Sequence, residues 1–263
     1  MFEPVLINES DLSPEEVKQL MAMGFDVADQ GSEKWLQERL GLATASHCFD
    51  IVNWTKGTPA GQPTKTYPNG KPEIPPKPQR SYYAYMYQLV GERLSGKPKR
   101  FGTKQMAWGN DHEEEAATVY GEVTGLDVRT LGFIKHEKLD AGASLDRTVG
   151  DNGLLEIKCP NTGTLVEYFD HGIPDVYYAQ MQFQMWIAHK TWGHFMVYDP
   201  EIEFGSKYYL EFVPRSESYI EQIDLKVTKL LSQVDELEKR YKDYDFGDQI
   251  AKALEAVDEI QLD

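Results

Sequence analysis

The stretch ASLDRTVGDNGLLEIKCP, residues 143–160, is the part of this sequence that determines the predicted fold. Its second half has the pattern of a buried strand in which Glu156 and Lys158 flank Ile157. Strand side chains alternate between two faces, so the two charges share one face and Ile157 points to the other. Buried charges are costly unless they are paired or bind a metal. The pattern therefore indicates a charged site inside the core.

A second acidic residue is expected to join this site. Asp146 lies ten positions before Glu156, and the turn-forming sequence GDNG occupies positions 150–153 between them. This spacing predicts a hairpin that brings Asp146 beside Glu156 and Lys158. Two carboxylates and a lysine could then hold a divalent metal and a nucleophilic water. The alternative from these residues alone is a surface salt bridge on an edge strand.

Length and composition set broad limits. The chain has 263 residues, of which 41% are hydrophobic, enough for a large core. Its two cysteines, Cys48 and Cys159, are too few for a disulfide framework. The first residues, MFEPVLINESDL, lack the features of a signal peptide, and no apolar run approaches the ~20 residues of a membrane span. We expect a cytoplasmic protein with free thiols and no membrane contact.

The charge is unevenly distributed along the chain. The formal net charge is -16, yet residues 55–104 contain ten basic and two acidic residues, a net charge of +8. Because screened electrostatic interactions act over only ~10 Å, an acidic protein can still hold DNA at one basic segment. The alternative is a solvated, flexible loop whose lysines keep the protein soluble.

The apolar spacing predicts helices on both sides of a group of strands. Residues 55–79 are rich in proline and glycine and are expected to form an extended arm or loop. Helices are predicted at 11–24, from Ser32 to Gly41, from a cap at Thr44 or Ser46, at Ser81–Leu94, Met106–Tyr120 and Tyr177–His189, and in a C-terminal helical segment at about 216–263.

Strands are predicted between and after these helices, at Val128–Ile134, Ala143–Asp146, Leu154–Lys158, Trp192–Tyr198 and Tyr208–Val213. Helices, then clustered strands, then helices favour an α/β core of mixed strands with helical flanks. We expect residues 1–263 to form a single domain with the arm as an appendage.

Four sequence blocks occur in a family's characteristic order: WLQERLGLATAS at 35–46, WGNDHEEEAATVYGEVTG at 108–125, the opening stretch at 143–160, and YYAQMQFQMWIAHKTWGHFMVYDP at 177–200. The chain thereby resembles the phage lambda exonuclease family, or YqaJ-type viral recombinases, within the PD-(D/E)XK nuclease superfamily. A lone Asp and Glu-X-Lys would be a weak signal, whereas four ordered blocks are specific. The resemblance implies a restriction-endonuclease-like α/β core, a mixed central β-sheet flanked by α-helices.

The resemblance also implies roles for the charged strand. Asp146 matches the acidic residue of the family's Pro-Asp element, and Glu156 and Lys158 match its Glu-X-Lys. The two carboxylates are expected to bind two Mg²⁺ ions, which Mn²⁺ could replace, and Lys158 to orient or deprotonate the attacking water. The carbonyl of Ile157 is a further expected ligand, because backbone oxygens are hard donors that suit Mg²⁺.

Two helical residues complete this implied catalytic set. Glu113, four residues after Gly109, matches the family's helical carboxylate and is a further candidate metal ligand. Helical spacing favours Glu113 over its two neighbouring glutamates as the one facing inward. Gln180 matches a glutamine that the family keeps near the metal, whereas Gln182 and Gln184 are expected on a solvated helix face.

A phosphate pocket is implied by the first block. RLGLATAS matches the family's Arg-x-Gly-x-x-Thr-Ala-Ser element, so Arg39, Thr44 and Ser46 are expected to bind a terminal 5′-phosphate. Ser144 corresponds to another phosphate contact of the family. Without the resemblance, Arg39 and Ser46 would be read as a surface charge and a helix cap.

The chain departs from the family's pattern next to its first acidic residue. Where the family has Ser-Pro-Asp-Gly, this chain has Ser144-Leu145-Asp146-Arg147. The carboxylate is retained. Arg147 is expected either to alter the adjacent turn or to reach DNA.

The resemblance implies a Mg²⁺-dependent 5′→3′ exonuclease that digests double-stranded DNA from 5′-phosphorylated ends. It would release 5′-mononucleotides and leave 3′ single-stranded DNA for recombination by strand annealing. A homotrimeric ring around a free duplex end, a single-strand annealing protein as partner and a phage or prophage origin in a bacterial host are implied as well. The alternatives are a structure-specific or restriction-type endonuclease on the same fold, and a non-catalytic DNA-binding protein.

Overall fold

The computed structural model describes residues 33–57, 74–98 and 104–260, without the side chains of 104–111 and 256–260. The helix predicted at 11–24 and most of the arm at 55–79 lie outside these residues. At the base of the arm, Thr55 donates its backbone N–H to the carbonyl of Lys77 at 2.9 Å, and Trp54 forms an isolated bridge with Pro78. The two ends of the arm therefore lie together.

A five-stranded mixed sheet lies at the centre, in the order β2-β5-β6-β7-β8. Only the β6–β7 pair is parallel among these strands; the other three pairs are antiparallel. The strands are β2 (Val128–Arg129), β5 (Arg147–Val149), β6 (Gly153–Lys158), β7 (Trp192–Tyr198) and β8 (Tyr208–Pro214).

Strand β6 carries the charged site at the middle of this sheet. It pairs with β7 along its whole length, with Glu156 opposite Phe195. On its other side β5 returns antiparallel, with Arg147 opposite Leu155 and Val149 opposite Gly153. The hairpin predicted between Asp146 and Glu156 is therefore confirmed, and it places Asp146 directly before the first residue of β5, beside β6.

Two of the predicted strands are wrong in their extent, because neither is one continuous strand. A separate sheet has the order β1-β4-β3, formed by Ala43–Thr44, Ala141–Ala143 and Ile134–Lys135. The predicted strand Val128–Ile134 is split, since Val128 pairs with Val149 and Ile134 pairs with Ala143. Likewise Ala143–Asp146 is not one strand, because β4 ends at Ala143 and β5 begins at Arg147.

Helices surround the sheets as the apolar spacing predicts, apart from α5, which was not predicted. A short 3-10 turn, Ala45–His47, precedes α2, and neither Thr44 nor Ser46 caps a helix through its side chain. The helices are α1 (Glu33–Glu38), α2 (Cys48–Val52), α3 (Arg80–Ser95), α4 (Lys104–Thr124), α5 (Thr162–His171), α6 (Asp175–Ile187), α7 (Glu217–Lys242) and α8 (Phe246–Ile260).

The central sheet is covered by apolar side chains on both faces. Alternation along β6 sends Leu154 to one face and Leu155 and Ile157 to the other. The first face packs against α2, α3, α6 and α7, and the second packs against Ala116 and Tyr120 of α4. Glu156 and Lys158 share the face of Leu154, so they point toward α6.

Within the residues described above, no helix is long and apolar enough to cross a membrane.

Candidate active site

Glu156 is fully buried, and its carboxylate accepts hydrogen bonds from Lys158, Gln180 and Gln184. Its Oε1 accepts hydrogen bonds from the Lys158 ammonium and, at 2.6 Å, from Gln180 Nε2. Its Oε2 accepts one from Gln184 Nε2 at 2.7 Å. Strand β6 and helix α6 thus hold this carboxylate in one orientation.

The expectation that Gln182 and Gln184 lie on a solvated helix face is wrong, because both are fully buried. The C-terminal half of helix α6 is surrounded by protein, with Met181, Phe183 and Met185 also at zero exposure. Gln184 joins the site by donating to Glu156 and, at 3.1 Å, to the carbonyl of Ser144.

Gln182 has a structural role elsewhere. Its amide group donates to the carbonyl of Pro214 and accepts the backbone N–H of Ser216, both at 2.8 Å. It therefore fastens the end of β8 and the start of α7 to helix α6, away from the carboxylates.

Three of the four predicted metal ligands, all except Glu113, converge on the Lys158 ammonium. Its Nζ bonds to Glu156 Oε1, lies 3.0 Å from the carbonyl oxygen of Ile157 and lies 3.9 Å from Asp146 Oδ2. Asp146 Oδ2 also accepts the backbone N–H of Ile157 at 2.7 Å. The predicted convergence of Asp146, Glu156 and Lys158 is confirmed as geometry.

Burial and mutual charge govern the protonation of this group. Burial raises the pKa of Glu156, and the negative charge of Asp146 raises it further, although Lys158 opposes both effects. Burial alone would lower the pKa of Lys158, but the charges of Glu156 and Asp146 outweigh it and raise that pKa above its ordinary value. Lys158 is therefore a cation here, and it balances part of the carboxylate charge.

The oxygen atoms around Lys158 suit a hard divalent cation. Two carboxylates and one backbone carbonyl already meet around a single positive charge, and Mg²⁺ prefers such oxygen donors. Asp146, Glu156 and the Ile157 carbonyl would hold it. No group of three or more His, Cys, Asp or Glu side chains suited to a metal occurs in the described part of the chain, so any third oxygen has to come from backbone, water or substrate.

Glu113 is the least exposed of the three consecutive glutamates at 113–115. Its side chain is 21% exposed, against 48% for Glu114 and 53% for Glu115. Burial, followed by the charge of Asp146, raises the pKa of Glu113 to about 7, although Arg147 opposes this shift. Its Oε1 accepts a hydrogen bond from Arg147 Nη1 at 2.7 Å. Glu113 therefore lies near Asp146 but is held by an arginine.

Arg147 does not alter the adjacent hairpin, since it is the first residue of β5 and pairs in register with Leu155. Only 9% of its side chain is exposed. Contact between Arg147 and DNA stays a prediction. The Arg147 guanidinium points to helix α4 and contacts Glu113 and Glu114. Sequence reasoning missed this contact. The signal for it was a charge added beside Asp146 in a chain with consecutive glutamates in the preceding helix.

A cleft of about 660 Å³ joins the acidic site to the predicted phosphate-binding residues. Arg39 lies in it, with Nη2 3.4 Å from Thr44 Oγ1, and Thr44 Oγ1 lies 3.4 Å from Ser46 Oγ. Its lining includes every predicted phosphate contact and most of the catalytic set, namely Arg39, Thr44, Ser46, Ser144, Asp146, Glu156, Lys158 and Gln180. Residues far apart in sequence thus face one space.

Trp35 organises the phosphate side of the cleft, a role that sequence reasoning missed. Its indole N–H donates to Ser144 Oγ at 2.7 Å, and the Arg39 guanidinium lies 4.2 Å from the centre of its ring. Trp35 is 9% exposed. One side chain therefore fixes both Ser144 and Arg39.

The basic segment at 55–104 is described only in part. Lys56 and Arg80 are exposed, whereas Arg93 is used internally, with ion pairs to Asp140 at 2.9 Å and Asp235 at 2.6 Å. Of the basic residues in this segment, Lys65, Lys71, Lys99 and Arg100 lie outside the described residues. DNA contact by this segment stays a prediction.

Comparison with known proteins gives the family. Residues 34–191, more than half of the chain, match the YqaJ-like viral recombinase domain. The chain belongs to this family. Membership confirms the resemblance predicted from the four sequence blocks.

Solved structures agree with the assignment. An alkaline exonuclease, LHK-Exo from Laribacter hongkongensis, is 30% identical with a TM-score of 0.68, covering 84% of this chain and 100% of that chain; its complex with dAMP matches equally. A phage related exonuclease from Haemophilus somnus 129PT, 15% identical with a TM-score of 0.55, covers 76% of this chain and 96% of that chain and shares the fold. The PD-(D/E)XK-like α/β fold is thus confirmed. Comparison with curated protein sequences gives no match.

Proposed function

We propose that this YqaJ-like protein is a Mg²⁺-dependent exonuclease that digests one strand of double-stranded DNA in the 5′→3′ direction. It would act from 5′-phosphorylated ends, release 5′-mononucleotides and leave 3′ single-stranded DNA. Family membership and the similarity to an alkaline exonuclease support the coarser assignment, a nuclease that acts on DNA. The metal, the polarity and the product are proposals.

One observation carries the proposal: a single cleft contains both the acidic site and the residues matched to phosphate binding. An enzyme that removes one nucleotide at a time must hold the strand end and the bond to be cut at the same moment. Arg39 with Thr44 and Ser46 would bind the terminal phosphate, and Asp146 with Glu156 would lie at the bond to be cut. The cleft is large enough for a nucleotide.

The side chains divide the chemistry between them. Asp146, Glu156 and the Ile157 carbonyl would hold the metal, which when bound would polarise the phosphate and lower the pKa of a water molecule. Gln180 and Gln184 hold the Glu156 carboxylate in place. Lys158, a cation contacting all three oxygen groups, would orient the attacking water and balance negative charge that develops on the phosphate.

We further propose that residues 1–263 form one nuclease domain that works as a homotrimeric ring around the duplex, in the cytoplasm of a bacterial host. A single-strand annealing protein would receive the 3′ strand for phage-type recombination. These points rest on the family alone. Sedimentation of the purified protein would give its oligomeric state, and a mass other than that of a trimer would contradict the ring.

The activity is tested with linear and covalently closed circular duplex DNA, each with Mg²⁺, with Mn²⁺ and with EDTA. We expect the linear duplex alone to be degraded, only with metal, and not by Lys158→Ala. Cleavage of circles would instead favour a structure-specific or restriction-type endonuclease. Binding without any hydrolysis would favour a non-catalytic DNA-binding protein.

The polarity and end preference need a separate experiment. Duplexes labelled at either end, with a 5′-phosphate or a 5′-hydroxyl, are digested by the natural protein, by Arg39→Ala and by Arg129→Ala as a control at an exposed ion pair with Asp127. Arg39→Ala should lose cleavage of phosphorylated ends selectively. Equal loss on both kinds of end would remove the basis for the phosphate pocket.

A further inference from the structure

The position of Arg147 bears on how many cations the site holds, a question that rests on the proposed function. Its guanidinium is shared among three acceptors: Nη1 donates to Glu113 Oε1 at 2.7 Å and to the carbonyl of Asp146 at 2.5 Å, and Nη2 donates to Glu114 Oε2 at 2.7 Å. Arginine does not lose its proton in proteins, so this is a fixed positive charge.

Asp146 thus lies between two fixed cations. On one side, Lys158 contacts Glu156 and the Ile157 carbonyl and lies 3.9 Å from Asp146. On the other side, Arg147 bonds to the backbone of Asp146 and to Glu113. The two groups of oxygen atoms differ. The carbonyl in the first group suits Mg²⁺, whereas in the second group a guanidinium already binds Glu113 Oε1 and the Asp146 carbonyl.

A second metal ion between Asp146 and Glu113 would compete with Arg147 for the Glu113 carboxylate. The Arg147 side chain is 9% exposed, so separation from Glu113 would leave a nearly buried guanidinium with Glu114 alone of its two carboxylate partners. Repulsion from the guanidinium would further oppose a divalent ion there. The residues therefore fit one cation beside Lys158 and do not fit a second beside Arg147.

We infer that this site binds one divalent cation, held by Asp146, Glu156 and the Ile157 carbonyl, and that Arg147 is a positioning residue whose guanidinium takes the place of a second cation beside Glu113. The expectation of two Mg²⁺ ions is replaced by one ion and one arginine. Glu113 then serves to hold Arg147, and Glu114 shares that task from the helix surface.

Calorimetric titration with Mn²⁺, in the absence of DNA so that no turnover occurs, measures this directly. The natural protein should bind one ion per chain, and Asp146→Asn should weaken that binding at least about tenfold. Glu113→Gln should still bind one ion. Arg147→Ala should gain a second, weaker binding event, which the double variant Arg147→Ala with Glu113→Gln should lose again. Arg129→Ala is the matched control and should behave as the natural protein does.

The inference would be overturned if the natural protein bound two ions and Glu113→Gln bound one. It would also be overturned if a folded Arg147→Ala showed no second binding event. If Arg147→Ala does not fold by circular dichroism, Glu113→Gln decides alone, since a ligand lost from a two-ion site must lower the stoichiometry. A second ion that arrives with substrate is detected by single-turnover cleavage at increasing Mn²⁺. A Hill coefficient of about one is expected, and a value near two would also overturn the inference.

The two proposals fail separately. A protein that binds one Mn²⁺ but cleaves no DNA under any condition would refute the proposed function and leave the stoichiometry intact. A protein that cleaves DNA with two bound ions would refute the stoichiometry and leave the proposed function intact.

Discussion

Gln184 on helix α6 donates a 2.7 Å hydrogen bond to Glu156 on the central strand, across 28 positions of sequence. The same amide nitrogen also reaches the carbonyl of Ser144, so one side chain joins β6 to the segment that leads into β5. A buried carboxylate that lacks such donors would be free to rotate and costly to keep ionised. Gln184 is therefore part of the active-site geometry.

Replacing Gln184 by Met should weaken both folding and activity. Methionine is similar in size but removes the donor that Gln184 supplies to Glu156 Oε2 and to the Ser144 carbonyl, which should lower the free energy of unfolding by about 1–3 kcal/mol. DNA cleavage at saturating substrate should fall at least about tenfold, because a loosened Glu156 holds its ligand poorly. Urea unfolding and initial rates over a range of Mg²⁺ measure the two effects.

Gln182→Met is the control for this prediction. Gln182 is equally buried, but it bonds to Pro214 and Ser216 and not to the carboxylates. Its loss should lower stability by a similar amount and leave the Mg²⁺ dependence of cleavage unchanged. If the Mg²⁺ dependence of cleavage changed equally in both variants, Gln184 would act only through the stability of the helix.

Trp35→Phe should reduce the preference for phosphorylated ends. Phenylalanine keeps an aromatic ring beneath Arg39 but removes the donor to Ser144, a change worth about 1 kcal/mol, or roughly fivefold in kcat/KM. Trp35→Leu removes both contacts and should have the larger effect. Competition between 5′-phosphorylated and 5′-hydroxyl duplexes is the measurement, and an equal loss on both would show that Trp35 only supports the fold.

Two glycines should respond to alanine in opposite directions. A Cβ at Gly91, on the exposed side of α3, would meet no atom within 4 Å, so Gly91→Ala should stabilise the helix by about 0.5–1 kcal/mol. A Cβ at Gly153 would come within 2.4 Å of the Trp192 ring, so Gly153→Ala should destabilise by about 1–3 kcal/mol. Thermal unfolding tests both; an unchanged melting temperature in Gly153→Ala would mean that β6 and β7 can separate locally.

Stability should fall as the pH drops below neutrality, in part because of His194. Burial lowers the pKa of this histidine below its usual 6.5, and its Nδ1 lies 2.7 Å from the Tyr120 hydroxyl. Since the unfolded chain then binds the proton more readily than the folded chain, the stabilising contribution is fully present above the unfolded pKa. It is lost as pH falls below that value and through the lower folded pKa.

Unfolding free energies at about pH 7.5 and pH 5.5 should therefore differ less in His194→Gln than in the natural protein. The exposed His171, with 72% of its side chain accessible, provides the control, and His171→Gln should keep the natural slope. If His194→Gln keeps it too, His136, whose pKa is also lowered by burial, is the group to replace next.

The local pattern of apolar residues predicted a strand correctly where the whole strand pairs with the same neighbours. The alternating run Trp192–Tyr198 is a strand with the predicted limits, because each face of β7 meets a different apolar layer. The same alternation failed at Val128–Ile134, whose two ends pair with different partners, Val149 and Ala143. The local pattern of hydrophobic residues does not show which strands pair when the partners are far apart in sequence.

The site shows the same division. Asp146, Glu156 and Lys158 could be placed together from spacing alone, because a hairpin brings them within reach. Gln184 could not, because a polar residue on a helix ordinarily indicates solvent, and only the apolar residues on every side of α6 indicate that the helix is buried. Arg147 was noticed as a departure from the family, but its acceptors lie on a helix more than thirty positions away.

The lysine at the centre of the acidic cluster also separates folding from metal loading. Structural zinc sites collapse when the ion is removed, because nothing else neutralises their ligands. Here Lys158 already supplies a positive charge to Glu156 and to the Ile157 carbonyl. The protein should therefore survive chelation intact and could be loaded onto DNA in EDTA, after which a pulse of Mg²⁺ would start every molecule at once. Such synchrony would allow the successive removal of nucleotides to be timed one by one.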